Sequence, residues 1–572
     1  MVDPITLSVV WGALISIGEQ MGVALARTAH SNAVKDGYDF SAAVFDAEGR
    51  LVAQGDFSPG HLGAMLYTVK HVLGYYPPDQ LNDGDAIIVN DPWMGTGHFP
   101  DITMVSPVFV DGTLVGLVAN TAHHVDVGGA VPGSQIVEGV IEYFQEGLRI
   151  LPVKCWEAGK ENEQIIRLLT ANVRLPIPFL GDLRAQANAN RVGVQRFSAL
   201  AKRYGAGVIT NVMAAILEKG EASMRQALAV LPAGEYAFED YLDDWGQGTP
   251  PIKVKVTAKI GGGEILLDFT GSDPQTESGL NSYINYTRAY GICAVRCVTI
   301  PSIPHNEGVA RPIKFSVPEG SFFNPKPPAG GSSRATINVR IYDAVMGALS
   351  KAAPDRVMAG LSHWSNPNIS GIERSTGRNF IFYDLVMGGT GARPTKDGIE
   401  AMSAPFNAAN IPVEVQEANT PLLVERIELI PDSGGAGKYR GGLGLRKDIR
   451  VFGDQIRLVN LTDRCRFAPF GLFGGGKGKV GRTLVQKDGS ETTVHSKSTT
   501  RLVEENVISF QVSGGGGYGN ARERDVEAVR RDVLRGCVSI EGARRDYGVV
   551  IDPSTKMVDL SGTATARSAM SS

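Results

Sequence analysis

Cysteine is scarce in this sequence: the 572 residues include only five, at positions 155, 293, 297, 465 and 537. They are scattered and odd in number, a pattern that fits a reducing compartment and excludes a disulfide framework. Only Cys293 and Cys297 lie close together. The second pair that a structural zinc site needs is missing, so we interpret these two as packing residues.

An excess of charge of either sign is also absent. Lysine and arginine number 56 against 60 acidic residues, which gives a formal net charge of −4. So balanced a chain offers no electrostatic case for nucleic acid or an anionic membrane as a partner. It opens with an acidic residue, Asp3, where a secretory signal would be basic, and the apolar run 5–17 is short for a membrane span. We therefore expect a soluble, cytoplasmic protein.

A phosphate-binding loop is missing as well. Residues 471–477 approach the pattern G-x-x-x-x-G-K, but Gly478 stands where a Ser or Thr must coordinate magnesium. Two G-x-G-x-x-G matches, at 476–481 and 514–519, do not open a helix within a βαβ unit. We predict that this chain does not bind ATP by itself.

Glycine, in contrast, is abundant, with 69 residues concentrated in the second half. Such usage predicts tight turns, bulges and close backbone approaches. The length predicts several domains. We predict a multidomain α+β (mixed α/β) fold, with a helix-rich, hairpin-containing N-terminal half and a glycine-rich, β-dominated C-terminal half. The predicted regions are a metal-site region with a helical segment (1–230), a mixed α/β region (231–360), a glycine-rich β region (361–520), C-terminal helices (521–551) and a flexible tail (552–572).

Three of the nine histidines fall between positions 98 and 124. Between them lie two runs rich in Val, Ile, Thr and Phe, 102–110 and 113–122, which predict strands. The runs are joined by Asp111-Gly112, a dipeptide that favours a two-residue hairpin turn. The sequence therefore predicts an antiparallel ribbon with histidines near its open end.

The register of this ribbon follows from the turn. If the two residues that flank it pair with each other, Asp101 lies opposite Ala122 and Pro100 lies opposite His123. Pairing then brings His98, Asp101 and the His-His pair to the same end of one ribbon.

Each of these side chains, taken alone, has an ordinary structural interpretation, because histidines and aspartates at strand ends often hydrogen-bond the backbone. Taken together, two imidazoles and a carboxylate favour a divalent metal site. Side chains alternate along a strand, so of His123 and His124 one is a ligand and the other supports it or contacts substrate. Asp39 precedes another predicted strand and can approach the same cleft, whereas His61, at a predicted helix start, is more readily interpreted as a packing residue.

Longer blocks show a resemblance to a known family. The N-terminal blocks are DPITLSVVWGAL, YDFSAAVFDAEGRLVAQ, HLGAM, NDPWMGTGHFPDITMVSPVF, AHHVDVGG and QEGLRILPVK, and collinear blocks such as NIPVEVQEANTPLL, DSGGAGKYRGGLG and SGGGGYGNARERDVEAVRRDVLRG follow. Together they resemble the hydantoinase B/oxoprolinase family. This family supplies one subunit of ATP-dependent cyclic-amide hydrolases and includes related subunits of acetone and acetophenone carboxylases.

The resemblance implies a set of metal ligands. Asp39 matches the acid of the DFS motif, His98 and Asp101 match the H-x-x-D of the family's GTHLPD-like block, and His123 matches the first histidine of the AHH block. The implied cofactor is a divalent metal (zinc, manganese or iron), and ligand type alone does not choose among these. One departure is Thr121, where the family pattern has a basic residue.

For the surrounding groups we predict catalytic roles for His124, Asp126 and Glu142. The segment that holds Glu142 also contains Glu146, and either carboxylate can be interpreted as a base or as an anchor. A solvated loop is the plainer interpretation of this segment.

The resemblance also implies a division of labour. A partner subunit of the hydantoinase A type holds ATP with magnesium and phosphorylates the amide oxygen, and this chain hydrolyses the activated intermediate at its metal. We thus expect a hetero-oligomer with more than one copy of each subunit, acting on a hydantoin, lactam or 5-oxoproline ring. Two alternatives stay open: a subunit of an ATP-dependent ketone carboxylase, and a non-catalytic subunit that only caps its partner.

Overall fold

A computed structural model describes residues 2–402 and 404–569 of the chain. The helices of this part are α1 Pro4–Thr28, α2 Asn32–Lys35, α3 Pro59–Tyr75, α4 Glu163–Ala171, α5 Pro176–Tyr204, α6 Ala206–Ala229, α7 Ile284–Thr299, α8 Glu307–Ala310, α9 Ala335–Leu349, α10 Val413–Asn419, α11 Val526–Leu534, α12 Ile540–Tyr547 and α13 Leu560–Ala569. The strands of its N-terminal half are β1 Phe40–Asp46, β2 Leu51–Gln54, β3 Ala86–Val89, β4 Asp101–Val110, β5 Thr113–His123, β6 Val153–Glu157, β7 Lys160–Glu161, β8 Gly234–Leu242, β9 Ile252–Gly261 and β10 Glu264–Asp268. The later strands are β11 Ile313–Ser316, β12 Asn368–Glu373, β13 Arg378–Tyr383, β14 Leu422–Ile430, β15 Gly444–Val451, β16 Asp454–Leu461, β17 Arg482–Lys487, β18 Ser490–Val494, β19 Lys497–Arg501, β20 Val507–Gln511, β21 Val550–Ile551 and β22 Val558–Asp559.

The N-terminal sheet has the strand order β2-β1-β5-β4-β3-β6-β7, and its neighbouring strands are antiparallel. Helices cover both of its faces. Val44 and Val118 pack in one core with side chains of α1, α5 and α6. Phe45 and Leu117 point the other way and share a second core with α3. Because both faces are covered, every residue of β1 is buried.

Four further sheets follow within the described residues. Strands β11-β10-β9-β8 form one of them, β13-β12-β16-β19 the second, β14-β15-β20-β17-β18 the third and β21-β22 the fourth. The mixed α+β class predicted from the sequence is confirmed. The predicted domain boundaries stay a prediction, and the largest hydrophobic core contains residues from the first three predicted regions.

The hairpin β4–β5 corrects the predicted register. Next to the turn Val110 pairs with Thr113, as expected, but the register shifts between Val108 and Phe109, and from there to its open end Asp101 lies opposite His123 rather than opposite Ala122. The reason is a β-bulge that adds one residue to β5. Directly opposed residues share a face of the sheet, so the bulge brings these two side chains together.

The glycine-rich segments lie against one another through their backbones. The amide of Gly435 donates to the carbonyl of Gly515 at 2.8 Å, and the amide of Gly515 donates to the carbonyl of Gly442 at 2.9 Å. A Cβ atom added at Gly441 would lie 2.0 Å from the carbonyl oxygen of Gly515. Close backbone approach, as predicted, is therefore what these glycines make possible.

Helix α1 is longer than the apolar run that the sequence suggested. By length and composition it is long and apolar enough to cross a membrane, although 44% of its most apolar window is buried. The apolar run 5–17 is one part of this helix, which spans 25 residues. Val10, Leu14, Met21 and Leu25 of this helix lie in the core against the N-terminal sheet.

Part of the predicted flexible tail, 552–572, has regular secondary structure, and its flexibility stays a prediction. Residues 558–569 form β22 and α13, and residues 570–572 lie outside the described residues. The carboxylate of Asp559 accepts from the backbone amide of Gly562 at 2.9 Å. Arg567 donates to the carbonyl oxygens of Tyr547 and Arg524. These local contacts hold the helix in place, and composition alone did not predict them.

The backbone packing predicts a contrast between two glycines. Gly441→Ala should lower the free energy of unfolding by about 1–3 kcal/mol or prevent folding, since its Cβ meets backbone rather than a movable side chain. Gly12→Ala, in α1 with nothing within 4 Å of the added atom, should be neutral or raise stability by about 0.5–1 kcal/mol. Scanning calorimetry of both variants tests this, and equal midpoints for Gly441→Ala and wild type would contradict it.

Candidate metal centre

The four residues matched to family ligands lie at one end of the N-terminal sheet. Strand β4 begins at Asp101, and β5 ends at His123 directly opposite it. Asp39 precedes β1, the neighbour of β5, and its carbonyl accepts from the backbone amide of His123 at 3.0 Å. His98 lies in the turn that leads into β4. Three adjacent strands thus bring together side chains that are far apart in sequence.

The donor atoms of this cluster are close together and buried. One ligand atom from each of His98, Asp101 and His123 can be chosen so that all three lie within 4.8 Å of one another. His98 Nε2 and Asp101 Oδ1 are 3.3 Å apart. These two atoms, His123 Nδ1 and Asp39 Oδ1 have no hydrogen-bond partner within the described residues. Burying a polar atom without a hydrogen-bond partner costs free energy of folding. A divalent cation would satisfy oxygen and imidazole nitrogen together, so the residues fit a metal.

The remaining polar atoms of the cluster are held by neighbours. His98 Nδ1 lies 2.6 Å from the carbonyl oxygen of Ser332, to which it donates. Asp101 Oδ2 accepts from the hydroxyl of Tyr286 at 3.0 Å and from the guanidinium of Arg334. Such outer partners orient ligands and set the histidine tautomer, which here leaves His98 Nε2 with its lone pair.

Asp39 and His123 share an outer partner. The hydroxyl of Tyr383 donates to Asp39 Oδ2 at 3.1 Å, and the tyrosine ring stacks on His123 with 4.6 Å between ring centroids. The side-chain amide of Gln135 lies 3.0 Å from His123 Nε2. The amide atom nearest to this ring nitrogen is Gln135 Nε2, which donates to His123 Nε2. A 180° rotation of the amide would let Nε2–H donate to the amide oxygen and would leave the lone pair of Nδ1 facing the cluster.

Burial and charge set the protonation states of the cluster. Burial lowers the pKa of His123 well below its usual value, and neighbouring His98 adds to this shift. Burial alone would raise the pKa of Asp101, but His98, Arg334 and His61 hold it well below its usual value. Burial raises the pKa of Asp39 to about 6. A neutral imidazole and an ionised carboxylate are the forms that bind metal.

The structure adds His61 to the cluster. Its Nε2 lies 3.4 Å from Asp101 Oδ1 and 3.8 Å from Asp39 Oδ1, where the sequence favoured a packing role. Burial opposes charging of this ring, but Asp101 and Asp39 outweigh it and raise the pKa of His61. The position of His61 in the sequence did not reveal its contact with the two carboxylates, because only tertiary packing brings α3 to the site. The block HLGAM, which contains His61, was the available signal.

His124 lies away from the four donor atoms. It follows the last residue of β5, and its ring packs against Phe179 of α5 with 4.7 Å between centroids. Its Nε2 lies 3.0 Å from Gln186 Oε1. This separation from His123 agrees with alternation. Among the described residues no hydrogen bond joins the His124 ring to the four donor atoms, and its catalytic role stays a prediction.

Asp126 and Glu142 likewise have structural contacts. The carboxylate of Asp126 accepts from the backbone amide and from the guanidinium of Arg174, each at 2.8 Å. Glu142 is half-buried and precedes a short 3-10 helix, where its amide donates to the side chain of Gln145 at 3.2 Å. Within the described residues neither side chain contacts the four donor atoms, and their catalytic roles stay predictions.

The buried carboxylate of that segment is Glu146. One of its oxygens accepts from the amides of Gly331 and Ser332, at 2.7 and 2.9 Å, and burial raises the pKa of Glu146 to about 8. Because the carbonyl of Ser332 holds His98, Glu146 anchors the loop that orients this ring.

Comparison with known proteins places these residues in a family context. The family model described as Hydantoinase B/oxoprolinase matches residues 3–521. A protein of Methanocaldococcus jannaschii is 37% identical over 96% of each chain. The B-type subunit of a putative D-/L-hydantoinase from Pseudomonas sp. (strain NS671) is 32% identical over 97% of this chain and 96% of its own. The caprolactamase beta subunit of Pseudomonas jessenii is 34% identical over 96% of this chain and 97% of its own.

Two solved structures resemble the whole chain. The ATP-dependent caprolactamase of Pseudomonas jessenii matches with a TM-score of 0.90 and 31% identity, over 99% of this chain and 100% of its own. A nucleotide-free acetone carboxylase matches with a TM-score of 0.92 and 21% identity, over 100% of this chain and 83% of its own. The second likeness concerns the fold alone.

The unpaired donors predict the metal content of histidine variants. Removing a residue that only supports a metal ligand typically lowers metal affinity roughly 10–100-fold. His98→Ala and His123→Ala each remove a ligand itself, so each should lower metal affinity by more than that. Both proteins should stay soluble, since the site lies at strand ends beside intact cores. His124→Ala, the matched control from the next position, should keep its metal. Plasma mass spectrometry after dialysis measures this. Full metal content in both His98→Ala and His123→Ala would rule out the site.

Proposed function

The chain belongs to the hydantoinase B/oxoprolinase family, and from this premise we propose that it is the metal-bearing subunit of an ATP-dependent hydrolase that opens a cyclic amide. The observation that carries the proposal is the convergence of four buried, unpaired donor atoms from Asp39, His98, Asp101 and His123. Relatives named for hydantoinase and caprolactamase support the substrate class.

The proposed reaction divides between two subunits. A hydantoinase A-type partner transfers the γ-phosphoryl group of ATP, with magnesium, to the amide oxygen and releases ADP. Water then adds to the ring carbon on this chain, and the ring nitrogen leaves as an amine, which gives an acyl phosphate. A second water replaces the phosphate, which departs with the former amide oxygen. The hydantoinase and caprolactamase relatives are each named as one subunit of an enzyme. This naming supports a partner subunit and a hetero-oligomer.

The residues of this chain hold and orient the centre. Asp39, His98, Asp101 and His123 would hold the cation, and zinc, manganese and iron all suit this donor set. A bound divalent cation supplies positive charge for the developing oxyanion and acidifies water towards neutral pH. His61 Nε2 faces both carboxylates, where it can hold a proton that they share. Since the reaction consumes ATP, we place it in the cytoplasm.

A ketone carboxylase subunit is the second candidate function. Its support is the fold shared with acetone carboxylase. We rank it below the hydrolase because the relatives named for cyclic amides are 32% and 34% identical, whereas the carboxylase structure is 21% identical. A non-catalytic assembly subunit would leave the four unpaired donors without a purpose.

The proposed chemistry predicts the fate of the amide oxygen. With its partner and ATP, the chain should open one ring of a panel of hydantoin, ε-caprolactam and 5-oxoproline without bicarbonate. If the substrate carries an ¹⁸O label on its amide oxygen, one labelled atom should appear in each inorganic phosphate, because the C–O bond breaks. Mass spectrometry of the phosphate measures this, and omission of ATP is the control.

Two results would contradict the proposed function. Label that stays wholly in the carboxylate would mean that the bond between the ring carbon and the former amide oxygen does not break. Bicarbonate-dependent carboxylation of acetone, with no ring opened, would replace the hydrolase by the second candidate.

A further inference from the structure

A cleft of about 520 Å³ lies between the segment after β5 and the sheet β13-β12-β16-β19. The residues that line it include Arg174, Arg457 and Arg501 and no acidic side chain. Asp126 pairs with Arg174 at 2.8 Å and offsets that charge. The side chains of Arg457 and Arg501 have no hydrogen bond or ion pair within residues 2–402 and 404–569. The cleft therefore has two uncompensated positive charges.

These two arginines face each other across neighbouring strands. Arg457 of β16 pairs directly with Arg501 of β19, the edge strand of the sheet. Like charges in directly opposite positions destabilise a sheet, and Arg457 is half-buried, which limits its screening by water. A bound anion would relieve this repulsion.

Strand pairing connects the arginines to the metal centre. Ser370 of β12 pairs with Arg457, and two residues along the same strand Asn368 pairs with Tyr383 of β13. Tyr383 is the residue that hydrogen-bonds Asp39. Alternate residues of a strand share a face, so this row lies on one face of the sheet. Along the strand the separation is about 7 Å, and Tyr383 lies two strands from Arg457 and three from Arg501, at about 4.8 Å for each strand.

Asn368, between the arginines and Tyr383, has an incomplete set of contacts. Its side chain is 1% exposed, and neither its oxygen nor its nitrogen has a hydrogen-bond partner within the described residues. A Cβ atom at Gly133, in the segment that covers it, would lie 2.6 Å from its Oδ1. This carboxamide lies on the same face as the arginines but, because Gly133 covers it, it does not line the cleft.

We propose that Arg457 and Arg501 form a subsite that binds a phosphoryl group on the sheet that also carries Tyr383 of the metal centre. One guanidinium group can donate two parallel hydrogen bonds to two oxygens of a phosphate. Two guanidinium groups together match the two negative charges of a phosphate dianion. The ligand is either inorganic phosphate that leaves the centre or the phosphoryl group of the activated amide. This inference rests on the proposed function, in which a phosphorylated intermediate is consumed next to this face.

The test measures phosphate binding to the metal-depleted full chain by calorimetry at constant ionic strength. Metal removal excludes binding to the cation. Arg457→Gln and Arg501→Gln should each weaken binding of inorganic phosphate about tenfold or more, since each removes a charged donor pair. Arg378→Gln is the matched control, because Arg378 is an exposed arginine of the same sheet outside the cleft. Unchanged unfolding midpoints exclude misfolding.

Methyl phosphate distinguishes the two sources. If it binds as tightly as inorganic phosphate, the cleft has room for an organic substituent and receives the activated amide; if only inorganic phosphate binds, the subsite serves the product. Wild-type binding that both variants retain would overturn the inference. So would variants that lose the partner subunit while wild type binds no phosphate, since the arginines would then contact an acidic protein surface. Phosphate binding needs no turnover, so its loss and a failure of the proposed function are separate results.

Discussion

The pairing of Asp101 with His123 across β4 and β5 is the contact on which the candidate site depends. A one-residue shift would turn one of the two side chains to the opposite face of the sheet. Around this pair, Asp39 comes from the position just before β1, and His98 is held by the carbonyl of Ser332. The bulge in the hairpin therefore places Asp101 and His123 on the same face, where the other residues of the cluster meet them.

The cluster also joins distant parts of the chain. Arg334, at the start of α9, neutralises one oxygen of Asp101, and Tyr383, from the sheet of the second half, holds Asp39 and covers His123. Each contact leaves one donor atom of the acid or imidazole facing inward. Because partners remote in sequence complete the site, metal binding and the packing of these regions should stabilise each other.

Local patterns predicted the elements of the site, and tertiary packing decided the rest. The turn Asp111-Gly112 predicted both strands and the pairs beside it, and alternation separated His123 from His124. The bulge had no signal of its own in the sequence. His61 could not be assigned from spacing, because only the docking of α3 brings it to Asp101. Glu146 was noted but not distinguished from Glu142, since burial alone separates the anchor from the half-buried residue.

A single cation is expected to bind at these strand ends, and anomalous diffraction tests this most directly. Crystals of the chain grown with manganese or zinc, with data collected on both sides of the absorption edge, should show one strong anomalous peak. It should lie about 2.0–2.3 Å from His98 Nε2, Asp101 Oδ1, His123 Nδ1 and Asp39 Oδ1. A peak elsewhere, with these four atoms left without a ligand at saturating metal, would contradict the assignment of the metal centre.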